Sequence, residues 1–286
     1  MSSDLLMSGV LIGALISFVA LGFALTFSVL KFINFAHGDL MTVGAYLTYV
    51  GVRALQLNIF VSAVIAILLT GALGVLIERL AFRPLRRERL SMFVSSLGVS
   101  LVINALLTLT FGGSSRTLTT MANGLDFGYV TLAVPEIIAL MAFILLVVTL
   151  TIVLRRTRFG LAARAISEDW NATALLGIPS GRVVSGTFFV SSALAGFAGV
   201  LFALMYGLTP QMGRTYGIWA FVVVVVAGFG NLPGLAASGI ITGLTIVLVM
   251  SGLGSYTYVN AVLFGTMTIF LFWRPLGLFG TRLRSF

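Results

Sequence analysis

The 286-residue chain is 59% hydrophobic and only 9% charged, with a mean hydropathy of +1.13. A soluble domain carries about 25% charged residues and keeps much of its surface wet, so this composition excludes a soluble fold and points to a bilayer as solvent. The formal charge of +9 comes from arginines that flank apolar segments, which reads as membrane orientation and not as nucleic-acid binding; with no cysteine, there is neither a disulfide framework nor a thiolate metal site.

A spanning helix needs roughly 20 apolar residues. In chain order, apolar segments run over about 6–30, 40–52, 57–82, 92–111, 134–154, 183–206, 218–227, 235–250 and 256–273. The fold class predicted is all-α, a polytopic transmembrane helix bundle forming one domain over 1–286. The first segment does not read as a cleaved signal: Asp4 is the only charge before Lys31, and no polar mature domain follows. The second and seventh segments are short, so either flanking polar residues extend them or they are broken or re-entrant. Small residues recur at Gly71, Gly74 and through 193–199, which signals close helix packing.

Arginines set the sides. Arg79, Arg83, Arg86, Arg87 and Arg89 form one basic loop, Arg155, Arg156, Arg158, Arg164 and Arg182 lie in another, and Arg274, Arg282 and Arg284 close the chain. The positive-inside rule places all three in the cytoplasm. The loop 112–131, with Asp126, is then external, as is the N-terminus. Crossings between the second basic loop and the tail must be even in number, so 218–250 returns to its own side. It divides at a turn signal over 228–234, giving two crossings or a re-entrant pair.

Two polar stretches stand out. The run 31–39 joins the first two spans and holds the only lysine, Lys31, and the only histidine, His37. Asn34, His37 and Asp39 admit three readings: an interfacial loop, a brace for a broken second span, or contact with cargo. One histidine with one nearby acid is not a metal-ligand pattern. The second stretch, 155–182, is too polar to cross and too apolar to be disordered. Residues 161–172 predict an amphipathic helix with Glu168 and Asp169 near Arg164. A second short piece, 172–176, ends at Gly177, Ile178 and Pro179. The stretch is either a docking surface or a connector held to headgroups.

Five blocks carry a resemblance: NFAHGD at 34–39, ERLAFRPLR at 78–86, RAISED with LLGI at 164–169 and 175–178, SSALAGFAGVL at 191–201, and RPLGLFG at 274–280. In this order the chain resembles the LivH-type permeases of bacterial branched-chain amino acid ABC importers; permeases for urea and short amides are built alike. The resemblance covers nearly the whole chain. It implies a transport subunit, not an enzyme, in the cell inner membrane among membrane lipids, paired with a second, LivM-like permease, with two cytoplasmic ATPase subunits and a periplasmic substrate-binding protein. It also implies that 157–178 is the ATPase-coupling element. Ala162, Ala163 and Ala165 would allow close approach, Arg164, Glu168 and Asp169 would give polar contacts, and Leu175, Leu176, Gly177 and Ile178 would anchor the knob. The cargo expected is leucine, isoleucine or valine, with urea or an amide as competitor. No Gly-x-x-x-x-Gly-Lys-Ser/Thr run exists here, so the chain needs no cofactor of its own, and ATP and Mg belong to the partner ATPases. The few acids, most at predicted membrane edges, argue against a self-powered, proton-coupled transporter.

Overall fold

A computed structural model describes residues 3–86, 88–118, 124–126, 131–228, 232–274 and 277–278. Arg87, residues 229–231 of the expected turn, 275–276 and 279–280 of the terminal block, and Arg282 and Arg284 lie outside the described residues. The membrane helices are α1 (Ser3–Leu30), α2 (Ala36–Arg53), α3 (Ile59–Ile77), α4 (Arg89–Phe111) and α5 (Val134–Arg156). After two short helices, α6 (Arg158–Glu168) and α7 (Trp170–Leu175), come α8 (Ser180–Met205), α9 (Met212–Ala227), α10 (Leu232–Leu253) and α11 (Tyr256–Trp273). Helix α3 runs on through a π turn at Glu78–Phe82 and a 3-10 turn at Arg83–Leu85. One departure from all-α is a short hairpin in the expected external loop, β1 (Gly124–Asp126) antiparallel to β2 (Thr131–Ala133).

Helix α1 is apolar all round, and such a helix belongs inside. It forms the axis of the bundle, with Ala14, Leu15, Ile16, Val19 and Leu21 fully buried. Helices α8, α9 and α10 pack around it, and α2 and α3 pack on α8. By contrast α3, α4 and α5 turn Leu68, Leu101, Leu109 and Leu145 outward, which suits lipid chains. Among the described residues, six helices are long and apolar enough to cross a membrane by length and composition, and α9 and α11 are shorter apolar helices. The small residues do what their spacing predicts: Gly196 of α8 lies against Thr70 of α3 and Gly44 of α2, and Gly74 faces Ser192. Backbone contact of this kind substitutes for the hydrophobic effect, which is absent between helices in lipid.

Up-and-down order brings the C-terminal ends of α3 and α5 and the N-terminal ends of α4 and α8 to one end. Arg79, Arg83, Arg86, Arg89, Arg155, Arg156, Arg158 and Arg182 gather there, in accord with the sides read from the arginines. The two short segments are both extended, α2 back to Ala36 and α9 back to Met212.

Candidate functional site

The basic end carries a knob built from α6 and α7. Thr157 starts α6, its hydroxyl accepting from the Gly160 amide at 3.2 Å. The predicted single helix over 161–172 is instead split at Asp169, whose backbone is extended (φ −146°, ψ 111°). Asp169 accepts from the Ala172 amide at 3.0 Å and so caps α7, a role aspartate fills well. It therefore acts at a helix start. Arg164 turns back to the Gly160 carbonyl at 3.4 Å and, among the described residues, makes no ion pair with Glu168. Gly177 has φ +76°, a left-handed conformation that ends the knob at low steric cost.

The knob has an inner and an outer face. Ala163 and Ile166 are buried with Leu30, Phe32, Phe82, Met92, Val184 and Phe188. Ala163 thus seats the knob on its own bundle, which corrects the expectation that it lies open to a partner. Ala162 and Ala165 are half-buried, as is Ile178. The outer face is Leu161, Arg164, Glu168, Leu175 and Leu176, the last two 89% and 78% exposed.

A strut that sequence reasoning did not single out supports the knob. The π turn holds Glu78 inward and fully buried. One carboxylate oxygen accepts from Arg86, the other from the Ser185 hydroxyl of α8 at 2.7 Å. The Arg86 guanidinium in turn lies 5.1 Å from the centre of the Trp170 ring on α7. A chain of contacts therefore runs from α8 through the end of α3 to the knob. Lys31 lies beside it: burial, then Arg89, hold its ammonium below the usual lysine range, while Glu168 pulls the other way.

The run 31–39 is not an interfacial loop. Lys31 takes φ +54° and the chain turns back into the bundle, so α2 begins at mid-depth. His37 proves the depth: its Nε2 donates to the Val19 carbonyl, midway along α1, at 3.1 Å. The carbonyl fixes the tautomer, because it can only accept. Nδ1 lies 3.4 Å from the Ser191 hydroxyl, which itself donates to the Gly22 carbonyl at 2.8 Å. His37 is thereby a brace between α1, α2 and α8. Asn34 is buried, with its carbonyl accepting from the His37 amide at 3.2 Å and its side-chain oxygen unpartnered among the described residues. Asp39 is buried and accepts from Ser100, halfway along α4, at 2.5 Å.

Helix α9 also begins inside the bundle. Its Gly213 amide donates to Thr42 at 2.9 Å, and Gly213 and Gly217 lie against Gly38. The first turns of α2 and α9 thus run antiparallel, backbone on backbone, with both N-termini within the membrane. Helix ends at mid-depth are one way transporters expose polar backbone to cargo.

This fold and site define a multi-pass membrane transport permease. The chain matches the family described as branched-chain amino acid transport system / permease component over residues 5–272. It is 31% identical to the high-affinity branched-chain amino acid transport system permease protein BraD of Pseudomonas aeruginosa, covering 96% of this chain and 94% of that one. It is 32% identical to the LivH permease of Escherichia coli K12 over the same shares, 96% and 94%. The LivM permease of that organism is 34% identical over 49% of this chain and 33% of its own length. In three dimensions the chain resembles PsaBC from Streptococcus pneumoniae, solved in complex with Fab, with a TM-score of 0.53 at 12% identity, covering 98% of this chain and 93% of that chain. The chain belongs to the branched-chain amino acid permease component family.

Proposed function

We propose that this chain is the permease subunit of an ATP-driven importer that carries leucine, isoleucine and valine across the cell inner membrane. The observation that carries the reading is near full-length similarity to permeases named for those amino acids, together with a leucine-tipped knob at the basic end. In this reading a second permease of the LivM kind completes the path, and a periplasmic binding protein delivers cargo. Two cytoplasmic ATPases bind ATP and Mg. The outer face of α6 and α7 docks into an ATPase groove: Leu175 and Leu176 supply apolar area at about 25 cal/mol per Å² removed from water, and Arg164 and Glu168 supply polar contacts at the rim. The strut Ser185–Glu78–Arg86–Trp170 carries the motion of the docked knob to α3 and α8. His37 and Asn34 hold the start of α2 in place.

The test is reconstitution of the complete importer in vesicles with labelled leucine. Uptake that needs ATP and the binding protein, and that isoleucine but not urea inhibits, is the expected result. Inhibition by urea and not by isoleucine would reassign the cargo to the amide class. Leucine accumulation by this chain without ATPases would overturn the mechanism.

A further inference from the structure

Helices α4 and α9 both pack on α2 but scarcely touch each other, so a groove runs between them with the start of α2 as its floor. Its outer end is closed: the Asn104 amide of α4 donates to the Pro210 carbonyl at 3.1 Å, and Arg116 pairs through its backbone with Leu208. Two charges border this groove, Asp39 buried at its floor and Arg214 exposed at its side. Asp39 rises from the floor toward Ser100 on the α4 side. Arg214 stands on the first turn of α9, next to Gly213, which is itself in contact with Gly38 and Thr42. That contact fixes its depth inside the membrane, close to the level of Asp39 and Ser100. Arg214 is exposed; its backbone amide donates to the Gln211 carbonyl at 3.1 Å, while its guanidinium makes no hydrogen bond or ion pair among the described residues.

An arginine at this depth is costly and belongs on a water-filled path or against an opposite charge. Asp39 is within electrostatic reach of it but is not in contact. At the start of α2 three rings meet: Phe35 lies 5.5 Å from Phe93 of α4 and 6.4 Å from Phe221 of α9, centre to centre. An anion-seeking group, a cation-seeking group and an aromatic wall form the complement of a free amino acid with an apolar side chain.

We propose that this groove is a transit site for the zwitterionic cargo: Arg214 takes the α-carboxylate, Asp39 takes the α-ammonium, and Phe35, Phe93 and Phe221 receive the aliphatic side chain. The proposal rests on the amino-acid importer reading above. Arginine suits the carboxylate because its fork offers two parallel donors. The positive N-terminal end of α9 adds to its field. Asp39 keeps one oxygen on Ser100 and turns the other to the ammonium. The two charges offset each other at a distance; cargo satisfies both at once. Neutral amides and urea lack the paired charges and would find no equivalent seat.

The complete importer in vesicles, with labelled leucine, tests this. Arg214→Ala should lower uptake at least tenfold while the subunits still co-purify. Arg214→Lys keeps the charge without the fork and should raise the leucine concentration for half-maximal uptake with a smaller loss of maximal rate. Because the chain has no cysteine, Arg214→Cys offers a sharper arm. A cationic thiol reagent should restore uptake, an anionic one should not, and saturating leucine should slow the labelling. A merely structural arginine predicts equal effects of the two reagents and no protection. Uptake by Arg214→Ala within twofold of wild type in an assembled complex, or failure of the cationic reagent to restore it, would overturn the proposal. Absence of leucine uptake in the wild-type importer would instead overturn the reading it rests on.

Discussion

The strut under the knob can be taken apart with two substitutions. Arg86→Met leaves the fully buried Glu78 carboxylate with only Ser185 among the described residues. Removing one partner of a buried pair costs roughly 3–5 kcal/mol. The same change deletes the guanidinium over Trp170, a cation–π contact worth about 0.5–2 kcal/mol. At about 1.4 kcal/mol per tenfold, the second loss should raise local opening of α7 by roughly 2- to 30-fold. The double variant Glu78→Gln with Arg86→Met removes the buried charge but does not replace the ring contact. Denaturant stability should therefore recover most of its loss in the double variant, while hydrogen exchange of the α7 amides stays raised. Both are measured on the purified chain in lipid discs. If α7 exchange returned to the wild-type value in the double variant, Trp170 would not be what Arg86 holds. If the double variant were as unstable as the single, the unpaired charge would not be the source of the cost.

Ala163→Leu should overfill the seat of the knob, costing about 1–3 kcal/mol and lowering thermal stability before any partner is present. Leu175→Ser with Leu176→Ser should leave stability within about 0.5 kcal/mol, as surface changes do, yet abolish ATPase co-purification; unchanged co-purification would make the knob a plain connector. Gly38→Ala drives a β-carbon into the Gly213 carbonyl, backbone against backbone, and should cost about 1–3 kcal/mol and block uptake by parting α2 from α9. A cysteine at Leu175 should react with an impermeant thiol reagent only in inverted vesicles, and one at Asn58 only in right-side-out cells; the opposite pattern would invert the bundle.

The helices were legible because apolar runs of spanning length allow little else, and the arginines gave the basic end. What stayed hidden has a common cause. Polar residues at a span's edge look the same whether they face headgroups or turn back into the bundle. His37 and Asp39 were therefore visible as candidates, but their mid-depth placement rests on Val19, Ser191 and Ser100, all distant in sequence. Arg214 was missed because the seventh apolar segment starts at 218 in sequence and leaves it outside the span; an arginine close to an apolar run on the side poor in arginines was the available signal. The knob was foreseen, but its break was misplaced, since Asp169 serves an N-cap as readily as a helical charge pair. Glu78 read as one more charge at a membrane edge, and only the π turn directs it inward.

Two helices that start side by side inside the membrane also bear on ion leakage. Each N-terminal end carries roughly half a positive charge, so the crossing of α2 and α9 concentrates on the order of one unit there. Arg214 adds to it and Asp39 offsets it. A sodium ion or proton drawn inward by the membrane potential gains about 2.3 kcal/mol per 100 mV. It meets a fixed positive field at mid-depth, the device by which paired half-helices in water channels turn cations away. A neutral zwitterion carries no net charge against that field. The same crossing that seats Gly38 on Gly213 thus lets a permease pass amino acids while the gradient across its membrane is kept.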